Sequence, residues 1–194
     1  MRPAAFFDRD GVVNELVPDP GSGLPESPLD PAQVVLIAGA AGGLRRLRNA
    51  GYLLVGVSNQ PAAAKGTVSL TTLEAVQQRV LELLRIEGIE PDGFRLCLHH
   101  PDAVVPELAG PCDCRKPAPG MLLDAARGLD IDLDSSWMIG DTDDDVAAGA
   151  AAGCRTVLIE NPSSSHKRRG SARPDLKAPD LAAAAGGVLV SDSR

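Results

Sequence analysis

The chain has 194 residues and a mass of 20.1 kDa, with 44% hydrophobic and 23% charged residues, a composition typical of one globular domain. Aromatic residues make up only 3%, and the net charge is -7, which argues against a nucleic-acid or anionic-membrane partner. No apolar stretch approaches the roughly 20 residues that cross a bilayer, and four cysteines are too few for a disulfide framework. We therefore expect a single domain over residues 1–194, working as a cytoplasmic monomer.

Short apolar runs that stop at polar residues recur along the chain and predict strands buried on both faces of a parallel sheet. The predicted strands are residues 4–7, 53–57, 94–98, 137–139, 156–159 and 188–190. Helices are predicted from a capping box at 71–74 to Gly88, over 119–129, and over 143–152. This alternation predicts a doubly wound, Rossmann-like α/β sheet without a large cap domain, whose ligand binds beyond the carboxyl ends of the strands.

Two segments read as loops. Residues 15–32 are rich in proline and directly follow the first polar cluster, so we expect them to form one wall of the active site, with the cysteine-containing loop 97–114 as another. Residues 161–179 mix serine, proline, lysine and arginine and are predicted to be a mobile loop. Their basic run, 166–169, is interpreted as a solvated surface rather than a nucleic-acid site.

The first strand delivers Asp8 to its carboxyl end, with Asp10 two residues further on. Two carboxylates this close repel, so one must be protonated or a cation must lie nearby. Phosphoryl transfer uses both a protonated carboxyl group and a cation, since it needs a carboxylate nucleophile, a proton donor and a divalent metal. The alternative is a polar turn that merely ends a strand.

Three more polar clusters favour chemistry over a simple turn. Ser58, Asn59 and Gln60 offer a hydroxyl and amide donors to a phosphoryl group, and Arg115-Lys116 places two cations before a helix. The carboxylates of residues 141–145 are oxygen ligands that suit Mg²⁺. A solvated helix N-terminus would explain one acidic cluster, but not four polar clusters at strand ends and helix starts.

In order, Asp8-Arg9-Asp10-Gly11, Ser58-Asn59-Gln60, Lys116-Pro117 and Gly140-Asp141 with Asp145 resemble the four motifs of the haloacid dehalogenase (HAD) superfamily of phosphatases. The resemblance extends from Ala4 to about Gly153 and covers most of the chain.

The resemblance implies that Asp8 is a nucleophile that forms an aspartyl-phosphate, and that Asp10 protonates the leaving group and later activates water. Ser58 and Lys116 would hold the phosphoryl oxygens.

For the metal, the resemblance implies that Mg²⁺ is bound by Asp8, the backbone carbonyl of Asp10 and Asp141, with Asp145 behind these ligands. Asn59 and Gln60 are expected to contact substrate.

A second signal is Cys97 and His99 followed by Cys112 and Cys114. Three thiolates and an imidazole in eighteen residues predict a closed, structural zinc site over residues 97–114. The alternatives are buried reduced cysteines, as we interpret Cys154, or His100 in place of His99 as the fourth ligand.

The run from His99 to Leu122 narrows the resemblance to the branch that contains heptose bisphosphate phosphatases and histidinol-phosphate phosphatases, and is more similar to the former. It implies that Arg115 and Lys116 select a phosphorylated sugar. The expected reaction converts D-glycero-D-manno-heptose 1,7-bisphosphate to the 1-phosphate. Histidinol phosphate or another small phosphosugar is the alternative substrate, and a non-catalytic zinc-loop or phosphosugar-binding protein is the alternative of another class.

Overall fold

Six parallel strands of mostly buried residues form the main sheet of the computed structural model, which describes residues 1–193. Residues 1–193 contain eight strands in all, which are β1 (Ala4–Phe7), β2 (Val17–Pro18), β3 (Pro25–Glu26), β4 (Leu53–Asn59), β5 (Gly93–Cys97), β6 (Trp137–Gly140), β7 (Arg155–Ile159) and β8 (Leu176–Ala178). The sheet order is β5-β4-β1-β6-β7-β8, and β2 and β3 pair separately as a short antiparallel hairpin. The predicted doubly wound α/β class is confirmed.

Within residues 1–193, five α-helices cover both faces of this sheet. They are α1 (Ala40–Asn49), α2 (Leu70–Ile86), α3 (Gly120–Leu129), α4 (Asp143–Ala152) and α5 (Leu181–Asp192). Successive residues of β1 point to opposite faces, so Phe7 packs in the cluster with α1, α2 and α5, whereas Phe6 packs in the cluster with α3 and α4. Each face therefore has its own aliphatic core.

Helix α2 begins slightly earlier than predicted. Ser69 is its N-cap, and the Ser69 side chain accepts a hydrogen bond from the backbone N–H of Thr72. A serine two residues upstream of the predicted capping box at 71–74 thus satisfies a free N–H group at the helix start.

The end of the chain differs most from the prediction. Residues 188–190, predicted as a strand, lie in α5, whose N-cap Asp180 accepts a hydrogen bond from the backbone N–H of Ala183. The last strand is instead β8, which lies within the segment predicted as a mobile loop, together with a 3-10 helix at Pro162–Lys167. The prediction for 188–190 was wrong because a short apolar run fits a helix as well as a strand.

The sheet topology places the candidate site. β1 is central, its neighbours are β4 and β6, and all three run parallel. The chain reverses its winding direction at β1, which is where doubly wound sheets bind ligands. Between β1 and α1 lie only the β2–β3 hairpin and one turn of 3-10 helix at Pro31–Gln33, so residues 8–39 contain no cap domain. None of the helices in residues 1–193 has the length and apolar character needed to span a bilayer.

Candidate active site

A cavity of about 360 Å³ opens at the carboxyl ends of β1, β4 and β6. Its lining includes most of the predicted site residues: Asp8, Asp10, Ser58, Asn59, Arg115, Lys116 and Asp141. Glu26 and Ser27 form one wall, as expected for the proline-rich segment. The other walls differ from expectation, since Lys65 and the pair Lys167 and Arg169 line the cavity, whereas the segment 97–114 approaches it only through its neighbour Arg115.

Asp8 follows β1 directly, and its backbone N–H donates to the carbonyl oxygen of Ile139 on β6. Its carboxylate Oδ1 accepts from the backbone N–H of Arg9 at 2.7 Å and lies 3.1 Å from Lys116 Nζ. Burial raises the pKa of Asp8 to about 6, against the opposing effect of the Lys116 charge. Contacts at Oδ1 therefore hold the carboxyl group in place, while its other oxygen, Oδ2, remains available at the cavity.

Lys116 is the cation at the centre of the site. Its buried Nζ lies 3.1 Å from Asp8 and 2.5 Å from Asp145, and donates to the carbonyl oxygen of Val57 at 2.8 Å. Burial lowers the pKa of Lys116, but Asp145 and Asp8 outweigh this and raise the pKa above its ordinary value. Lys116 is thus charged at any physiological pH.

The backbone of Lys116 is fixed by Asn59 at the end of β4. Asn59 Nδ2 donates to the Lys116 carbonyl oxygen, and Asn59 Oδ1 accepts from the Lys116 N–H, both at 3.0 Å. The Asn59 amide, predicted to bind substrate, is therefore occupied with joining the second and third motifs.

Three carboxylates lie close enough together to bind one metal ion. Ligand oxygens of Asp8, Asp141 and Asp145 all lie within 4.8 Å of one another. Burial, then Asp145 and Asp8, raise the pKa of Asp141 to about 8, and the buried Asp141 Oδ1 has no hydrogen-bond partner in residues 1–193. Because Lys116 neutralises only part of this charge, the donor set fits a divalent cation with oxygen ligands such as Mg²⁺.

Two glycines allow these carboxylates to approach the backbone. A Cβ on Gly11, whose φ is +82°, would lie 2.2 Å from Asp141 Oδ2. A Cβ on Gly140 would lie 2.1 Å from the Cβ of Asp145. Asp145 is further fixed by accepting from the N–H and hydroxyl of Thr142, the N-cap of α4, at 3.0 and 2.6 Å.

Asp10 lies beside Asp8 but in a different environment. Its carboxylate accepts from Arg9, from Asn14 Nδ2 at 2.9 Å and from Gln60 Nε2 at 2.6 Å. Burial raises the pKa of Asp10, but the Arg9 charge and these hydrogen bonds outweigh it and hold the pKa below its ordinary value. A cation therefore lies beside each member of this acidic pair, Lys116 at Asp8 and Arg9 at Asp10, and sequence reasoning did not assign a role to Arg9. Gln60, predicted to contact substrate, is buried between Asp10 and Ser58 Oγ, 3.1 Å away.

The segment after β7 also contacts the site, which the sequence did not indicate. Asn161 Nδ2 donates to the carbonyl oxygen of Gly11 at 2.9 Å, and Arg168 donates to that of Asp141 at 3.2 Å. The backbone N–H of Arg169 donates to Asp143 Oδ2 at the start of α4. Part of the predicted loop thus binds the chain that follows β1 and β6.

The four predicted zinc ligands are brought together. Ligand atoms of Cys97, His99, Cys112 and Cys114 all lie within 4.8 Å of one another, and Cys97 Sγ lies 3.8 Å from Cys112 Sγ. A tetrahedral site with Zn–S bonds of about 2.3 Å has S···S edges of about 3.8 Å, which the Cys97–Cys112 pair matches, whereas Cys97 Sγ and Cys114 Sγ are 3.0 Å apart. The donor set of three thiols and one imidazole is therefore what suits zinc. His100 is not in this cluster, and its Nδ1 accepts from the backbone N–H of Asp102.

This cluster is connected to the cavity at one point. Arg115 follows Cys114 directly, lines the cavity, and donates to the carbonyl oxygen of His99 at 3.4 Å. The position of Arg115 therefore depends on the shape of the Cys/His loop.

Comparison with known proteins agrees with this geometry. Residues 113–184 match the HAD-hydrolase-like family model. A D-glycero-beta-D-manno-heptose-1,7-bisphosphate 7-phosphatase from Yersinia pestis is 36% identical over 89% of this chain and 88% of its own. The enzyme of that name from Rhodopseudomonas palustris is 37% identical over 78% of this chain and 80% of its own.

A solved structure extends the similarity to three dimensions. The D,D-heptose 1,7-bisphosphate phosphatase from B. bronchiseptica, complexed with magnesium and phosphate, is 30% identical and has a TM-score of 0.74. The alignment covers 97% of this chain and 99% of that one. The chain belongs to the HAD-like phosphatases, in the family of the heptose bisphosphate phosphatases.

Proposed function

We propose that the protein hydrolyses the 7-phosphate of D-glycero-D-manno-heptose 1,7-bisphosphate and releases the 1-phosphate. The observation that carries this proposal is the placement of Asp8 at the end of the central strand, facing a cavity with Lys116 and Asp141. The relatives named for this reaction match most of the chain, which supports the choice of substrate.

In the proposed reaction, Asp8 attacks the phosphorus and the ester P–O bond breaks. The described contacts to Asp8 fall on Oδ1, so Oδ2 is the oxygen available for attack. Lys116 and the Ser58 hydroxyl would hold phosphoryl oxygens. Because the pKa of Asp10 is held below its ordinary value in the free site, Asp10 would first take up a proton from water or from the bound phosphate ester and then give it to the leaving oxygen. Asp10 then takes a proton from water, which hydrolyses the aspartyl-phosphate and regenerates Asp8.

Asp8, the backbone carbonyl of Asp10, and Asp141 would hold Mg²⁺, with Asp145 anchoring Lys116 behind them. When bound, the ion neutralises negative charge on the phosphoryl group and on the clustered carboxylates. The unpartnered Oδ1 of Asp141 and the excess of carboxylates over lysine in this cluster support this assignment.

For the second metal we propose a structural zinc ion. Cys97, His99, Cys112 and Cys114 would fill all four tetrahedral positions, leaving none for substrate or water. Its role would be to fix the chain that leads into Arg115. Reduced thiols at these positions fit a cytoplasmic enzyme.

Arg115 is proposed to bind the second phosphate of the substrate. It lines the same cavity as Lys65, and an arginine fork suits a phosphate group in both geometry and charge.

Hydrolysis assays test this function. The purified protein is given heptose 1,7-bisphosphate of either anomer, histidinol phosphate, hexose monophosphates and p-nitrophenyl phosphate, with Mg²⁺ or with EDTA. We expect the highest kcat/KM for the heptose bisphosphate, with loss of the 7-phosphate seen by ³¹P NMR, and no turnover in EDTA. Preference for histidinol phosphate would replace the substrate, and no hydrolysis of any ester would refute the phosphatase.

A further inference from the structure

Arg9 is a buried cation whose side chain takes no part in the reaction described above. Its side chain is fully buried. Its guanidinium donates to Asp10 Oδ1 from Nε at 3.1 Å, to Asp10 Oδ2 from Nη2 at 3.0 Å, and to Gln77 Oε1 from Nη1 at 3.0 Å. One edge of the guanidinium therefore binds Asp10 through two hydrogen bonds, and the third hydrogen bond connects Arg9 to α2.

Each oxygen of the Asp10 carboxylate accepts two hydrogen bonds in this arrangement. Oδ1 accepts from Arg9 and Asn14, and Oδ2 accepts from Arg9 and Gln60. A carboxylate has about four lone-pair sites, so a leaving oxygen or a water can reach Asp10 only by replacing one of these donors. Arg9 is the only one of the donors to contact both oxygens, so it can keep the carboxylate oriented during the exchange.

Gln77 fixes the Arg9 guanidinium, which in turn orients the Asp10 carboxylate. It lies on the apolar face of α2, among Leu73, Val76 and Val80, and is buried. Its Nε2 has no partner in residues 1–193, so the amide is kept in the core for its oxygen alone. Burying an amide costs folding free energy unless it is hydrogen-bonded, and the bond from Arg9 offsets this cost only for the oxygen.

We propose that Arg9 and Gln77 are positioning residues, which hold the Asp10 carboxyl group in line with the leaving oxygen. The proposal rests on the acid–base role given to Asp10 under the proposed function. Neither residue lines the cavity, so both act through Asp10 and not on the substrate.

Gln77→Leu tests the proposal, because it removes the acceptor and keeps a core-sized side chain. The readout is kcat/KM for two esters: heptose bisphosphate, whose alkoxide leaving group needs a proton, and p-nitrophenyl phosphate, whose leaving group does not. We expect kcat/KM for the sugar to fall by roughly tenfold to a hundredfold, and that for the aryl ester by less than about threefold. The fall should lie in kcat, with KM unchanged.

Three further variants complete the design. Gln77→Glu keeps an acceptor for Arg9 and should restore most of the sugar activity, whereas the exposed neighbour Gln78→Leu is the matched control and should match the wild type. Arg9→Lys keeps the charge but loses the two-point grip, so it should show the same selective loss and serves if Gln77→Leu does not fold. Equal losses for the two esters, or no loss, would overturn the proposal. A wild-type chain that hydrolyses neither ester would overturn the proposed function as well, so the two failures are distinguishable.

Discussion

Replacing Lys116 by methionine should destabilise the protein by about 3–5 kcal/mol, since removal of one partner leaves buried charge uncompensated. Methionine keeps an unbranched apolar stem but loses the contacts of Nζ with Asp8, Asp145 and the carbonyl oxygen of Val57. For a chain of this length, 4 kcal/mol corresponds to a fall in Tm of roughly 8–16 °C.

The size of this loss should depend on pH. Burial raises the pKa of Asp8 from 3.8 to about 6, even though the charge of Lys116 opposes this rise. Without Lys116 the pKa of Asp8 is therefore expected to rise further. A carboxyl group whose pKa is raised by folding stabilises the folded state while protonated, and that stability is lost as the pH rises through the folded-state pKa. The deficit of the variant is therefore larger at pH 8 than at pH 5.

Thermal unfolding followed by circular dichroism measures this, at pH 5 and pH 8, in EDTA and again with Mg²⁺. The control is Lys177→Met, which removes an equally close but exposed ion pair with Glu160, 2.9 Å apart, and should cost less than about 1 kcal/mol. Equal Tm values for Lys116→Met and Lys177→Met at pH 8, or a larger deficit at pH 5, would refute the reasoning.

Three other substitutions test the site directly. Asp8→Asn should keep the fold and abolish hydrolysis, because an amide cannot form the aspartyl-phosphate; wild-type turnover in a steady-state assay would contradict the covalent route. Arg115→Ala should lower kcat/KM for a heptose bisphosphate roughly ten- to a hundredfold more than for p-nitrophenyl phosphate, and an equal loss would mean that Arg115 does not read the second phosphate. Cys112→Ser should lose bound zinc by elemental analysis and lose activity while far-UV circular dichroism retains most of the sheet; unchanged kcat/KM without zinc would contradict a link from the zinc loop to Arg115.

The sequence predicts the sheet well because its strands are short apolar runs with abrupt polar ends. Helix α4 agrees with its prediction at both ends, since Thr142 before it and Gly153 after it are strong boundary signals. Helix α5 was missed because its small residues give no clear period and its last apolar residues look like a strand. Strand β8 has only three residues, too few for a pattern.

The candidate site likewise contains residues that the sequence predicts and residues that it does not. The residues near Asp8 are predictable because each follows a strand or precedes a helix in a recognisable motif. Gln77, by contrast, reaches Arg9 from 68 positions away, and only the packing of α2 on the sheet brings the two together. A glutamine inside the apolar stripe of α2 was the available signal, and Asn161 and Arg168 had none beyond their polarity.

The contacts that Asn161 and Arg168 make with the chain after β1 and β6 have a consequence for how the protein is made. A nascent chain that has just left the ribosome up to Asp145 already carries every residue of the four motifs. It still lacks β7, the 161–171 segment that bonds to Gly11 and Asp141, and α5, whose Asp192 accepts from Trp137 at 3.2 Å. We therefore expect the capacity for catalysis to appear late in translation, after the chemical groups themselves have been synthesised.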